Sequence, residues 1–277
     1  MFVYKQWEYF CEKLSDNGIN SVTAASVLKT KQENPFLILK HDVETNPSKA
    51  LKLAQIESKY SHQGSYYVQA YLLENKKNVD ILKKIQSLGH EVSYHHDVMD
   101  SNKGDIKKAQ QEFQTYVDLF EKHGFSIETV CQHGNPVIER EGYSSNRDFF
   151  RDKLVAQTYK YISEIMVDFK NRININYKYI SDAGYGWKII FDPENNDVVK
   201  SDDKNTSLGD LNRVYDVITS GDSVIVSTHP HRWNSNEVSA QIKDTVFKII
   251  KNIAKLMLKV PLMKRLMGRF YYLAKKI

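Results

Sequence analysis

The chain has very little cysteine: Cys11 and Cys131 are the only two. That excludes a disulfide framework and a paired-cysteine metal knuckle, and it fits a reducing compartment. No uncharged apolar run is long enough to span a bilayer. The opening residues Met1 to Glu8 lack a basic stretch followed by an apolar core, so no secretory signal is expected. Internal repeats and low-complexity tracts are absent as well. The body also lacks an excess of positive charge. Residues 241–277 hold ten Lys/Arg against one acid, a net of +9, and the remainder holds 29 against 33, a net of −4. The basic character belongs to a tail, which argues against nucleic acid as a partner of the whole domain.

At 277 residues, with 41% hydrophobic and 26% charged positions, the chain has the length and composition of one large soluble α/β domain. Strands are predicted at Phe36–Leu39, Ser65–Val68, Val92–Tyr94, Ile127–Cys131, Tyr177–Ile180 and Val224–Val226. Helices alternate with them. One is capped at Asn46 with Pro47 in its first turn, and others are closed by Gly89, Gly124 and Gly221. Repeated βα units predict a mainly parallel sheet, open or closed into a barrel. The first 34 residues read as two short helices with Trp7, Phe10, Cys11 and Leu14 on one face, an N-terminal cap on the core. Asp192 to Ser207 reads as a polar surface loop.

Seven of the nine histidines fall in four short polar clusters, each next to an apolar run. The clusters are Lys40-His41-Asp42-Val43-Glu44, His90 to Asp97, His133-Gly134-Asn135-Pro136 and Thr228-His229-Pro230-His231. Parallel α/β sheets collect their chemistry at the carboxyl ends of strands, so these clusters point to a metal or acid–base site. His41-Asp42 either anchors a cation and positions a proton, or merely caps a turn. Strand alternation sends His95 and His96 to opposite faces, so one is a ligand or base and the other a supporting partner. His90 reads as structural. His133 is a metal ligand, a substrate contact or a plain turn residue. Asp182 and Trp187 lie on one loop and offer a carboxylate and a broad apolar face. His229 is positioned as a general acid, with Asp182 to orient it.

Taken in order over roughly residues 35–235, these residues resemble the polysaccharide deacetylase (NodB-like, carbohydrate esterase family 4-like) family, in a divergent branch associated with bacterial surface-polysaccharide loci. The resemblance implies a distorted (β/α)7 barrel that holds a divalent ion, often zinc, and removes an N-acyl group from an amino sugar. Asp42 then matches a metal ligand. The usual catalytic aspartate before it is replaced by His41, and either His41 or Glu44 would be the base. Gly89-His90-Glu91 matches the family lead-in, and His95 the first histidine ligand. The second falls on Met99, so His96 or His133 would complete the set. Asp182, Trp187 and His229 match the late motifs, with Trp187 and His231 as substrate contacts. A rival reading keeps the barrel but gives it a binding or assembly role in a polysaccharide-synthesis complex, and Met99 supports that rival.

Three regions follow: a cap (1–34), the deacetylase-like barrel (35–235) and a basic amphipathic tail (236–277). In the tail, Val246, Phe247, Ile249, Ile250, Ile253, Ala254, Met257 and Val260 form a broad apolar face beside Lys248, Lys251, Lys255 and Lys259. That pattern fits a helix lying on an anionic membrane, with each basic residue worth about 1 kcal/mol near the surface. The implied setting is cytoplasmic, peripheral on the inner face of the membrane, with an amino sugar or glycolipid as substrate. Deleting 241–277 is expected to move the protein from the membrane pellet to the supernatant. Unchanged sedimentation of the truncated chain would refute the tail's role.

Overall fold

A computed structural model describes residues 2–30, 35–135, 138–182, 184–195, 204–242 and 245. The expected amphipathic tail lies almost wholly outside these residues. Two helices come first, α1 (Tyr4–Asp16) and α2 (Ala24–Lys29). The alternation then runs β1 (Leu37–Val43), α3 (Pro47–Lys59), β2 (Gly64–Val68), α4 (Lys76–Ser87) and β3 (Glu91–His96). It continues through α5 (Val98–Ser101), α6 (Ile106–Lys122), β4 (Thr129–Gln132), α7 (Asp148–Arg151), α8 (Lys153–Thr158), β5 (Ser163–Glu164) and α9 (Phe169–Ile173). Last come β6 (Tyr177–Ser181), β7 (Lys188–Ile189), β8 (Thr206–Ser207), α10 (Leu211–Ile218) and β9 (Ser223–Thr228).

Most predicted elements are present, but the strands run further than their apolar runs. β1 continues through Lys40, His41 and Asp42 with all seven residues buried. β3 continues through His95 and His96. Ladder hydrogen bonds on both sides hold these polar residues extended, which hydrophobicity alone does not reveal. Asn46 stands at the start of α3 in a left-handed conformation (φ 46°) with no side-chain cap hydrogen bond, and Pro47 follows. The turn is therefore set by backbone conformation rather than by the capping amide.

The sheet order is β5-β4-β3-β2-β1-β9-β6-β7-β8. Seven strands are parallel, and β7 and β8 add antiparallel pairs at one edge. This is the order of a cycle whose seam lies between β5 and β6. Among the described residues no strand pairing crosses that seam, though the Tyr177 hydroxyl donates to the Ile165 carbonyl at 3.2 Å. What the structure shows is a mixed α/β fold with a mainly parallel sheet; the pairing does not close it into the expected (β/α)7 barrel. No described helix is long and apolar enough to cross a membrane.

Both faces of the sheet are covered. On one face, called inner below, Ile38, Tyr67, Cys131, Tyr179 and Ile225 pack with Ala24 and Val27 of α2 and Phe169 of α9. On the outer face, Leu37, Leu39, Val224 and Val226 pack under Trp7, Phe10 and Leu14 of α1 and under Val214 of α10. The amphipathic face read for residues 7–14 is thus core. The outer face also buries one carboxylate, Glu57 of α3. Its oxygens accept from Trp7 Nε1 (3.0 Å) and the Tyr66 hydroxyl (2.7 Å), and His41 Nε2 lies 2.8 Å away. Burial alone would raise this carboxyl, but His41 and His90 beside it hold it below its ordinary range. Glu57 thereby ties α1, α3, β1 and β2 together.

His96 lies on the outer side among Phe113, Phe149 and Phe150, with ring centroids 5.7–6.0 Å away and no hydrogen-bond partner for either nitrogen. Burial pushes its pKa down to about 3, against about 6.5 in an unfolded chain. Between those values the unfolded state binds one more proton. The neutral ring's contribution is therefore intact above about pH 6.5 and falls by about 1.4 kcal/mol per pH unit on acidification. His96→Leu is expected to reduce the pH dependence of urea unfolding between pH 6.5 and 5 by that amount. An identical slope in the variant would show that His96 takes up its proton while folded.

Candidate functional site

The inner-face residues Lys40 and Asp42 of β1, His95 of β3, Cys131 of β4, Tyr179 and Ser181 of β6 and Ser227 of β9 approach one another because the parallel strands are in register. Lys40 pairs with Ser227, Ser181 pairs with Ser227 from the other side, and His95 pairs with Cys131. Just past the strand ends stand Glu44, His133, Asp182 and His229. Many of these side chains border a cavity of about 220 Å³, together with Gln132, Arg147 and Met166.

Lys40 is 1% exposed, and its Nζ donates to both Asp42 oxygens (2.5 and 2.7 Å) and to Ser227 Oγ (3.2 Å). Burial would lower this amine, but Asp42 keeps its pKa well above the usual value. Burial would likewise raise the Asp42 carboxyl, and Lys40, His95 and His229 hold it below. The pair is therefore fully ionised at neutral pH.

His95 Nδ1 lies 3.0 Å from the Cys131 carbonyl. Only a protonated Nδ1 satisfies that oxygen, so Nε2 carries the lone pair. Burial, aided by His133 and Lys40, pushes the ring down to about 3 and keeps it neutral, as a metal ligand must be. His133 Nδ1 is 3.2 Å from His95 Nε2 and 3.2 Å from Glu44 Oε1. Burial would raise Glu44, but His133, His229 and His231 hold it well below the carboxylate range. Glu44, His95 and His133 form one group of convergent donor atoms, and Asp42, His95 and Cys131 form another.

The first group fits a divalent ion. Tetrahedral zinc bonded at about 2.0–2.1 Å puts its ligand atoms roughly 3.3 Å apart, which matches both 3.2 Å separations. Two imidazoles and a carboxylate also suit zinc chemically. The second group fits poorly: both Asp42 oxygens are engaged by Lys40, and burial pushes the Cys131 thiol up, away from thiolate.

Across the cavity, His229 Nδ1 donates to Asp182 Oδ1 at 2.6 Å, leaving Nε2 3.9 Å from both Asp42 Oδ2 and Glu44 Oε1. Asp182 is fully buried and also accepts from Thr228 Oγ1 (2.7 Å), the His229 amide (3.0 Å) and Arg232 (2.6 Å). Burial would raise this carboxyl; Arg232 and His229 hold it far below the usual range.

The structure brings together Asp42, Glu44, His95, His133, Asp182 and His229. It does not bring in His41 or His96. His41 sits on the outer face against Glu57, stacked on Tyr66 with centroids 4.2 Å apart. His96 sits in the aromatic core, so the choice between His96 and His133 falls to His133 on geometric grounds. Glu44, one of the two expected bases, is the carboxylate grouped with both His95 and His133, while Asp42, the expected ligand, is grouped with His95 and Cys131. Trp187 is 2% exposed and packs with Phe2, Trp7 and Trp233, away from the cavity. His231 lies beside the site, its ring centroid 5.7 Å from that of His229. Met99 is buried in the core. Sequence reasoning missed Lys40, Arg147 and Arg232. For Lys40 the signal was available: it stands two residues before Asp42 and so shares its face.

No family model matches this chain, and no curated protein matches it. Among solved structures, a CE4 esterase of Streptococcus mutans is similar at 12% identity, covering 84% of this chain and 89% of that one, with a TM-score of 0.47.

Zinc titrated into the metal-stripped protein is expected to bind at one equivalent. Glu44→Ala, His95→Ala and His133→Ala should each weaken binding at least tenfold, and Cys131→Ala should leave it within about twofold. Loss of zinc in Cys131→Ala with retention in Glu44→Ala would assign the ion to the other group.

Proposed function

We propose that this chain is a metal-dependent hydrolase that removes an N-acyl group, acetyl or formyl, from an amino sugar. The observation that carries this reading is one cavity flanked by three elements: the Glu44–His95–His133 donor group, the ionised Asp42, and His229 held by Asp182. The amino-sugar part rests on the sequence resemblance, as do the surface-polysaccharide setting and zinc as the ion. A divalent ion bound there would polarise the acyl oxygen and lower the pKa of water toward about 7. Glu44, His95 and His133 would hold it.

The chain's own groups then divide the proton work. Asp42, ionised and anchored by Lys40, takes a proton from the attacking water. His229 stands opposite, with its Nδ1 fixed by Asp182, and its Nε2–H protonates the amine nitrogen as the C–N bond breaks. The Asp182 carboxylate, held by Thr228 and Arg232, orients the imidazole. Water and amide thus give carboxylic acid and amine, and the proton left on Asp42 returns to His229 through solvent. A lipid-linked sugar would accord with the basic tail, which we place on the cytoplasmic membrane surface as part of the same proposal.

The test is release of acetate or formate from N-acyl amino sugars by the zinc-loaded protein. Asp42→Asn and His229→Ala are expected to lower kcat by about 10²–10⁴ while zinc stays bound. His41→Phe, on the far side of the sheet, should act on stability rather than on the chemical step. A zinc-free protein that releases no acid from any such sugar would reject the hydrolase and leave the binding or assembly role.

A further inference from the structure

The candidate ligand His133 lies on irregular chain. β4 ends at Gln132 and the next helix, α7, starts at Asp148. A connection of this length with no helix or strand among its described residues needs something to fix it. The His133 amide extends the ladder by one step, donating to the His96 carbonyl at 2.7 Å. Beyond that point side chains of the connection meet the carboxylate of Asp100 in α5, whose side chain is 1% exposed. Asp100 Oδ1 accepts from Arg140 Nε (2.8 Å) and the Tyr143 hydroxyl (3.1 Å). Its Oδ2 accepts from a guanidinium NH2 of Arg140 (2.8 Å) and from Asn146 Nδ2 (2.9 Å).

Two of those donors reach on to the ligand-bearing backbone. Asn146, fully buried, donates its other amide hydrogen to the His133 carbonyl at 2.8 Å and accepts from the Asp100 amide at 2.9 Å. Arg140 also donates to the Asn135 carbonyl at 2.9 Å. Tyr143 packs on Gly104, where a Cβ would lie 2.7 Å from its ring. Three side chains of the connection therefore converge on one acid, and through them the carbonyls of His133 and Asn135 are held.

From this we infer that Asp100, with Arg140 and Asn146, forms a clamp that positions His133 for the metal. The inference rests on the metal-site reading above and deepens it. Met99, the neighbour of Asp100, contributes only to the core, so the short turn of α5 braces the segment that carries the ligand instead of supplying a ligand itself. Asp100 acts through the backbone of residue 133 and touches no reacting atom, which makes it a positioning residue.

The experiment is a double-mutant cycle on the full chain, read as zinc affinity by competition with a chromophoric chelator. Asp100→Asn is expected to weaken zinc binding about tenfold or more in the wild-type background and to change it less than twofold in a His133→Ala background. Arg140→Gln, which alters a residue at the rim of the clamp, should repeat the pattern more mildly, and it stands in for Asp100→Asn if that protein loses its near-ultraviolet circular dichroism. Equal zinc affinity in Asp100→Asn and wild type would overturn the clamp while leaving the metal site intact. An equal loss in both backgrounds would also overturn it, because the acid would then support the fold and not His133. A wild-type protein that binds no zinc would overturn the site reading and the clamp with it.

Discussion

A strand buried on both faces has no solvent side on which to place a charge. β1 is such a strand, and it carries Lys40, His41 and Asp42 in succession. Each must find a partner inside the protein, because an unpaired buried charge costs several kcal/mol. On the inner face Lys40 and Asp42 satisfy each other and Ser227. On the outer face His41 meets Glu57, which also satisfies Trp7 and Tyr66. The same demand builds the site on one side and docks the N-terminal helix on the other. Site and cap are two answers to one constraint, separated by the thickness of a strand.

That constraint also explains what was legible in the sequence. The βα order, the core face of α1 and the gathering of His95, His133, Asp182 and His229 at strand ends all follow from periodicity and placement. The misplacement of His41 and the omission of Lys40 share one cause. The strand was ended where the apolar residues stopped, so His41 was free to turn toward the site. Once β1 runs to Val43, alternation sends His41 outward and Lys40 inward with Asp42. Glu44, beyond the strand, escapes the alternation and swings to His133. Trp187 was misplaced for a different reason: a loop tryptophan looks the same in sequence whether it meets a ligand or a core. Only the packing of Phe2, Trp7 and Trp233 against it decides.

The histidines of the site are held in different electrical settings. His95 is kept neutral by burial and by a carbonyl that fixes its tautomer. His229 is paired directly with a carboxylate that three other donors also reach, the backbone of its own residue among them. One setting suits lone-pair donation and the other suits carrying a proton. Residues of the same type thus stand in unlike settings without any difference in side-chain chemistry, His95 inside β3 and His229 just past β9.

The position of β1 between β2 and β9 has a consequence for how the chain reaches this state. Its hydrogen-bonding edge on one side is completed by β9, nearly two hundred residues later, and the segment before α1 meets the segment after β9, where the Tyr4 amide donates to the Asn234 carbonyl and the Asn234 amide to the Phe2 carbonyl. Lys40 therefore cannot gain Ser227 until β9 has been made. During synthesis β1 waits with one edge open until β9 is available. Pairings of such long sequence separation form slowly and leave an exposed edge in the meantime. A ribosome-bound chain ending before residue 223 would keep that edge bare, and Lys40 would still lack Ser227.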